Sequence, residues 1–182
     1  MLITIDDLYR RLQDKCARSK FDIGDMQLVE PGVSKTIVDT AEQRLDIRFP
    51  SEFSRLLERF DFSRLSLANL VFEYGHDLEK FIKANLGAPA PWWGTEKRPL
   101  NLLLIGTTDG HAIFLSIGGG RILAVEKNSA GEKHETYIAE SFEELVRLAG
   151  ALALGHSRKE RIEIASTLHA SRFWMQLAMG TA

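Results

Sequence analysis

Val33–Phe60, VSKTIVDTAEQRLDIRFPSEFSRLLERF, decides the fold. Ser34 stands where an N-cap is needed, and Val33 and Val38 bracket it as a hydrophobic staple. Ile37, Val38, Ala41 and Leu45 then recur at helical spacing and predict one buried stripe. The helix should stop near Asp46, because Pro50 disfavours helical geometry at Phe49. Pro50 can open a second helix, where its missing N–H costs nothing. Phe53, Leu56, Leu57 and Phe60 give that helix its apolar side, leaving Glu52, Arg55, Glu58 and Arg59 for solvent. Glu42, Asp46, Glu52 and Glu58 are read as exposed acids of the pair.

Working outward, residues 4–17 carry Ile5, Leu8, Tyr9, Leu12 and Cys16 on one helical face, capped by Thr4 and Asp7. Residues 19–32 form a connection punctuated by Gly24, Pro31 and Gly32. On the other side of the pair, Leu65–Tyr74 predicts a strand from about Asn69, and His76–Leu86 a short helix with Leu78, Phe81 and Ile82 inward. Gly87–Pro99 is broken by prolines and glycines and holds Trp92 and Trp93. Leu102–Gly106, His111–Ile117, Arg121–Glu126 and Thr136–Ile138 read as strands joined by turns at Asp109-Gly110, Gly118–Gly120 and Asn128–Lys133. Ser141 with Glu144 caps a helix that ends at Gly155, and Ser157 with Glu160 caps one more, running to about Leu177. Its expected stripe is Ile164, Leu168, Met175 and Met179, with Ile162 and Ala165 adjacent. Helices, then strands, then helices indicate α+β: an antiparallel meander with helices on one face, plus extra N- and C-terminal helices. The expected organisation is an arm and linker over 1–32, a domain over 33–154 and an extension over 155–182.

The 182 residues carry a net charge of −2, so the chain as a whole lacks the basic footprint of a nucleic-acid binder. Basic residues gather at the two ends, with Arg10, Arg11, Lys15, Arg18 and Lys20 near one and Arg158, Lys159 and Arg161 near the other. Stretches 22–58 and 126–144 lean acidic. Cys16 is the only cysteine. It excludes an internal disulfide and sits on an apolar stripe as a small buried side chain. Asp6 and Asp7 interrupt the N-terminus as a signal peptide, and no apolar run is long enough to span a bilayer, so the expected location is cytoplasmic.

No residue set for catalysis emerges. Gly118-Gly119-Gly120 lacks the Lys-Ser/Thr of a phosphate loop and precedes a strand, which makes it a hairpin turn. His111 and Ser116 differ by an odd number and point to opposite sheet faces. The five histidines show no zinc spacing; His111 and His134 could meet across the meander with Glu126 or Glu135, but surface or turn positions suit them better. Cofactors and metal are expected to be none. The tryptophans of the long loop are either a lid on the sheet or an exposed anchor, with Glu73, Tyr74, His76 and Asp77 as polar neighbours. Glu73, Tyr74, His76, Asp77, Trp92 and Trp93 are therefore the candidate partner-binding residues.

The residues also resemble a known family. Ser34, Ile37, Glu42, Leu45, Phe49-Pro50, Phe53, Leu56-Leu57, the turn Thr108-Asp109-Gly110 and the stretch Ile138-Ala139-Glu140-Ser141-Phe142-Glu143-Glu144-Leu145 look like the SUKH superfamily, which includes the Smi/Knr-type cell-wall regulators of yeast. The match covers roughly residues 33–150. Asp46 departs from the glycine that often ends the first helix, and Asp61-Phe62 from the Asn-Gly pair that commonly follows the second. The resemblance implies an α+β fold and a non-enzymatic immunity role: binding and neutralising a cognate bacterial toxin domain, often a nuclease. The expected partner is thus a protein, with no direct nucleic acid or membrane contact and a homodimer left open. The alternative is a regulatory or scaffolding interaction domain with an unrelated partner.

Overall fold

The computed structural model describes residues 3–18, 26–72, 77–86, 99–126 and 135–180. Helix α1 spans Ile5–Arg18 and opens on the predicted cap: Asp7 N–H donates to Thr4 Oγ1 at 3.1 Å, and Thr4 Oγ1 donates back to Asp7 Oδ2 at 2.8 Å. Ile5, Leu8 and Leu12 are buried. Helices α2 (Lys35–Leu45) and α3 (Ser51–Arg59) are the predicted pair. Ser34 accepts from Ile37 N–H, as a helix cap should. Pro50 stands one position before the first turn of α3, as its cap residue, and its carbonyl receives Ser54 N–H at 3.1 Å.

The departure at Asp46 has a simple resolution. Asp46 adopts the left-handed conformation itself, at φ 53° and ψ 50°. Its N–H donates to Gln43 O, and Ile47 N–H reaches back to Glu42 O at 3.1 Å, the paired bonds of a Schellman ending. Glu42 corrects the sequence reading. It is 7% exposed. Its Oε1 accepts from Phe49 N–H at 2.8 Å and its Oε2 from Arg48 at 2.5 Å. The carboxylate is therefore folded inward to hold the Phe49-Pro50 break, and is no surface contact.

The expected single strand after α3 is a tight hairpin instead. β1 (Ser66–Leu67) and β2 (Leu70–Val71) pair across Ala68 and Asn69, which take φ 50° and 66°. Two consecutive positive-φ residues make the turn whose twist suits a two-residue hairpin. Asn69 Nδ2 also donates to Gly180 O at 2.9 Å. Helix α4 runs Glu79–Leu86, with Leu78, Phe81 and Ile82 buried as predicted. Strands β3 (Leu102–Thr107), β4 (His111–Ser116), β5 (Ile122–Glu126) and β6 (Glu135–Ala139) complete the meander. All six strands lie in sequence order, each antiparallel to the next. Buried Asn85 clips α4 to β3: its Oδ1 accepts from Leu104 N–H at 2.8 Å, and its Nδ2 donates to Leu104 O at 3.0 Å. The ladder shifts register just beyond, between Leu104 and Gly106.

Helix α5 (Phe142–Leu154) lies against the sheet and is the element the core closes on. Its N-cap Ser141 accepts from Glu144 N–H at 3.2 Å. Phe142 meets three phenylalanine rings: Phe53 at 4.9 Å, Phe62 at 5.1 Å and Phe72 at 5.7 Å. Such aromatic contacts add about 0.5–1.5 kcal/mol each to area burial. A Cβ at Gly150 would stand 2.4 Å from Leu8 Cδ1, so α1 reaches α5 only because that position lacks a side chain. Arg59 joins Asp6 of α1 to Glu30 of the connector while its guanidinium covers the Phe60 ring at 4.5 Å. The sheet is apolar on both faces. Ile113, Leu115 and Ala124 join the main core, while Ala112, Phe114, Val125 and Leu102 form a second cluster. That explains why these strands read as near-continuous apolar runs.

The last predicted helix is two. α6 (Arg158–Ser166) and α7 (Ser171–Gly180) are separated by a turn at Thr167–Ala170, with Ala170 at φ 57°. Ser166 and Thr167 hydroxyls donate back to Glu163 O and Ile164 O, closing α6. The turn rotates the apolar face. Phe173, Trp174, Leu177 and Ala178 go inward, and Met179, expected in the stripe, is 46% exposed. Ile5, Leu8 and Leu12 from the arm, and Ala165, Phe173 and Trp174 from the C-terminal segment, enter the same core as residues 33–154.

Candidate functional site

Of the six residues proposed for partner contact, Glu73, Tyr74, His76, Trp92 and Trp93 lie outside the described residues. Asp77 is exposed, and its Oδ1 accepts from Glu79 N–H at 3.0 Å, a local turn that starts α4. Glu79 in turn pairs with Arg44 near the end of α2. Asp77 therefore stands beside the signature helix pair, with one carboxylate oxygen engaged in the turn.

The two stretches that carry the resemblance meet elsewhere, at a groove of about 370 Å³. The start of α3 supplies Pro50, Glu52 and Phe53. The end of the sheet and the start of α5 supply Glu140, Ser141 and Phe142. The Gly118–Gly120 turn between β4 and β5 closes the third side, with Leu115 and Ile117 below it. Local chemistry explains each wall. Glu52 Oε1 accepts from Glu143 N–H at 2.9 Å, so a carboxylate of α3 sits at the positive end of α5. Glu140 N–H donates to Glu144 Oε2 at 2.6 Å, which fixes the bend into that helix. The three glycines present no side chain, and a Cβ at Gly118 or Gly120 would meet nothing within 4 Å, so this wall is open to solvent.

The charged residues lining the groove are Glu52 and Glu140, both acidic. Cations stand at its margin. Arg121 reaches Glu140 at 3.7 Å and Arg55 reaches Glu143 at 3.6 Å, both through exposed guanidinium groups. Arg121 also lies over the Tyr137 ring at 5.5 Å. Burial, and after it the Glu140 carboxylate nearby, push the Tyr137 hydroxyl up to about 12. An apolar floor with two carboxylates on its wall is the arrangement that receives a cationic side chain carried on an apolar stem. Glu52, expected as an exposed acid, is half-buried with its carboxylate turned to the start of α5. The groove was not legible in the sequence, because its walls come from three distant parts of the chain.

A second cavity, of about 270 Å³, lies where α7 meets the sheet and is lined by His111, Glu126, Thr136, Arg172 and Gln176, among others. His111 stands opposite Glu126 in the β4–β5 register and edge-on to Phe173 at 5.2 Å. Thr108 of the Thr-Asp-Gly turn accepts His111 N–H at 2.9 Å through Oγ1, a turn-closing role. His134, the suggested companion of His111, lies outside the described residues. Among the described residues no cluster of three or more His, Cys, Asp or Glu is placed to hold a metal ion. Burial raises the Cys16 thiol above its ordinary range, in keeping with its half-buried place near Met26. No helix among the described residues is long and apolar enough to cross a membrane. No protein-family model matches the chain, and no curated protein matches it.

Proposed function

We propose that this protein is a non-enzymatic immunity-type module, which binds a cognate bacterial toxin domain and blocks its working surface. The observation that carries the reading is the acid-lined groove where the Phe49-Pro50 helix pair and the IAESFEEL stretch converge. The polar residues of the resemblance have structural work: Ser34 and Ser141 cap helices, Glu42 holds the break and Thr108 closes a turn. What those motifs offer a partner is the concave surface they build together.

In this reading Glu52 and Glu140 take the place of the anionic substrate that a basic nuclease surface normally meets. Complementary charge of this kind speeds encounter and penalises wrong partners more than it adds raw affinity. Pro50, Ile117 and the Gly118–Gly120 wall supply the apolar seat for the partner's side chain. The test is to look for a toxin gene beside this one and to co-express any toxin domain found there, reading both survival and a stoichiometric complex in pull-down. Protection and complex are expected, with Glu52→Lys and Glu140→Lys together slowing association at low salt by at least tenfold. A toxin domain that is neither bound nor blocked rules the reading out. So does pull-down that recovers only a cell-envelope or signalling protein, which favours the regulatory alternative.

A further inference from the structure

The two basic runs at opposite ends of the sequence come together in space. Arg11, Lys15 and Arg18 are four and three residues apart on α1, so they share one side of that helix. The Gly150 contact brings α1 against α5, and this side then faces the point where the chain leaves α5 and turns through Gly155 and His156 into α6. A cavity of about 760 Å³ opens there. Its cationic lining is Arg11, Lys15, Arg18 and Arg161, with Asp14 as the carboxylate among them and His156 beside them.

These cations are placed by the fold. Lys15 Nζ donates to Ala153 O at 3.0 Å, at the negative end of α5. A Cβ at Gly155 would stand 2.7 Å from Arg161 Cγ, so the Arg161 stem crosses the end of α5 only because residue 155 is glycine. A second compartment, of about 310 Å³, shares Arg11, Leu154, Gly155 and His156 with the first. It continues over Leu148, Ala151, Ile164 and Leu168 and also over Glu160 and Thr167, so its lining is mixed. The cavity shares no lining residue with the acidic groove.

We propose that this two-part cavity binds a soluble phosphorylated small molecule with an apolar or planar body. Its phosphoryl groups would lie among the guanidinium groups and its body against the half-buried Leu154, Ile164 and Leu168 of the second compartment. Several converging cations call for an anion with more than one charge, and the planar guanidinium fork pairs two oxygens of a phosphate at once. The volumes are those of small-molecule sites. They are too small for a folded partner, which separates this site from the toxin-binding reading.

The experiment titrates the full chain by calorimetry and thermal shift with ATP, GTP, inorganic tripolyphosphate and sulfate at matched ionic strength. A parallel arm sediments the protein with phosphatidylglycerol vesicles. Saturable binding of a nucleoside triphosphate is expected, tighter than tripolyphosphate, which has no body to bury. Arg11→Ala and Arg18→Ala lie on exposed positions and should keep the unliganded melting temperature, while each weakens nucleotide binding about tenfold. Gly155→Ala, by displacing Arg161, should weaken it as well. The proposal is overturned if neither nucleotide saturates, if tripolyphosphate binds as tightly as the nucleotides, or if binding ignores both arginine variants. Capture by vesicles without free-nucleotide binding also overturns it and assigns the basic surface to a lipid headgroup.

Discussion

Removing the Glu42 side chain tests the logic of the helix pair directly. In the folded chain this carboxylate is 7% exposed and receives the buried Phe49 N–H at 2.8 Å. Glu42→Ala deletes a hydrogen bond to a charged acceptor and leaves that N–H without a partner or water. A loss of this kind costs about 2–3 kcal/mol. Glu42→Gln keeps an amide oxygen for the same N–H and should cost about 1 kcal/mol. The Arg48 contact contributes little, because the Arg48 side chain is 84% exposed and a solvated pair is worth under about 1 kcal/mol. The expected order of destabilisation is therefore Glu42→Ala, then Glu42→Gln, then Arg48→Ala. Urea unfolding followed by circular dichroism measures it. At about 2–4 °C per kcal/mol for a chain of this size, Glu42→Ala should also lower the melting temperature by about 5–10 °C. If Glu42→Ala unfolds within about 0.5 kcal/mol of the parent, or no earlier than Arg48→Ala, then the carboxylate-to-backbone bond does not hold the Phe49-Pro50 break.

Three further outcomes follow from features already described. Asp46→Gly should stabilise by about 1 kcal/mol in the same unfolding assay, because it removes the Cβ penalty at φ 53°, whereas Asp46→Ala should not. Gly150→Ala should destabilise by a net 1–2 kcal/mol (about 1–3 for overpacking against Leu8, less the helix-propensity gain), and in a double-mutant cycle with Leu8→Ala the costs should sum to less than additive. Tyr137 sets an alkaline limit: its folded value of about 12 lies above the ordinary 10, so the unfolded chain loses the proton first. Stability from this group is then complete below pH 10 and falls between pH 10 and 12, seen as a late phenolate absorbance step that Tyr137→Phe removes.

Much of the fold was legible wherever a side chain satisfies its own helix end. Thr4, Ser34, Ser141 and Ser157 all cap where the sequence places them, because a hydroxyl at that position has one near and obvious partner. The misreadings share a different cause. Ala68, Asn69 and Ala170 turn the chain with positive φ, yet none is a glycine. Asn tolerates that conformation, but alanine carries no such signal and no glycine stands beside them, so one strand was expected for a hairpin and one helix for two. Glu42 was read as exposed because it is charged; its inward position depends on a backbone N–H seven residues on, which no periodicity encodes. The acidic groove and the basic cavity were hidden for the reason that makes them candidate sites. Each is assembled from segments that meet only in the finished fold.

The contacts of Phe142 carry a consequence for synthesis. A strictly sequential meander lets each of β3 to β6 find its neighbour as soon as both exist, across short connections, while β2 waits for β3 across the segment that holds α4. The rings that Phe142 joins are made long before it, Phe53 and Phe62 ahead of the sheet and Phe72 just after its second strand. A ribosome-bound chain therefore carries a set of unclosed phenylalanines until α5 emerges. During that interval the sheet already exists but its central apolar contact does not, which is the state most open to association with other nascent chains. The late arrival of one helix, rather than any weakness of the finished core, is then what leaves a nascent chain most exposed.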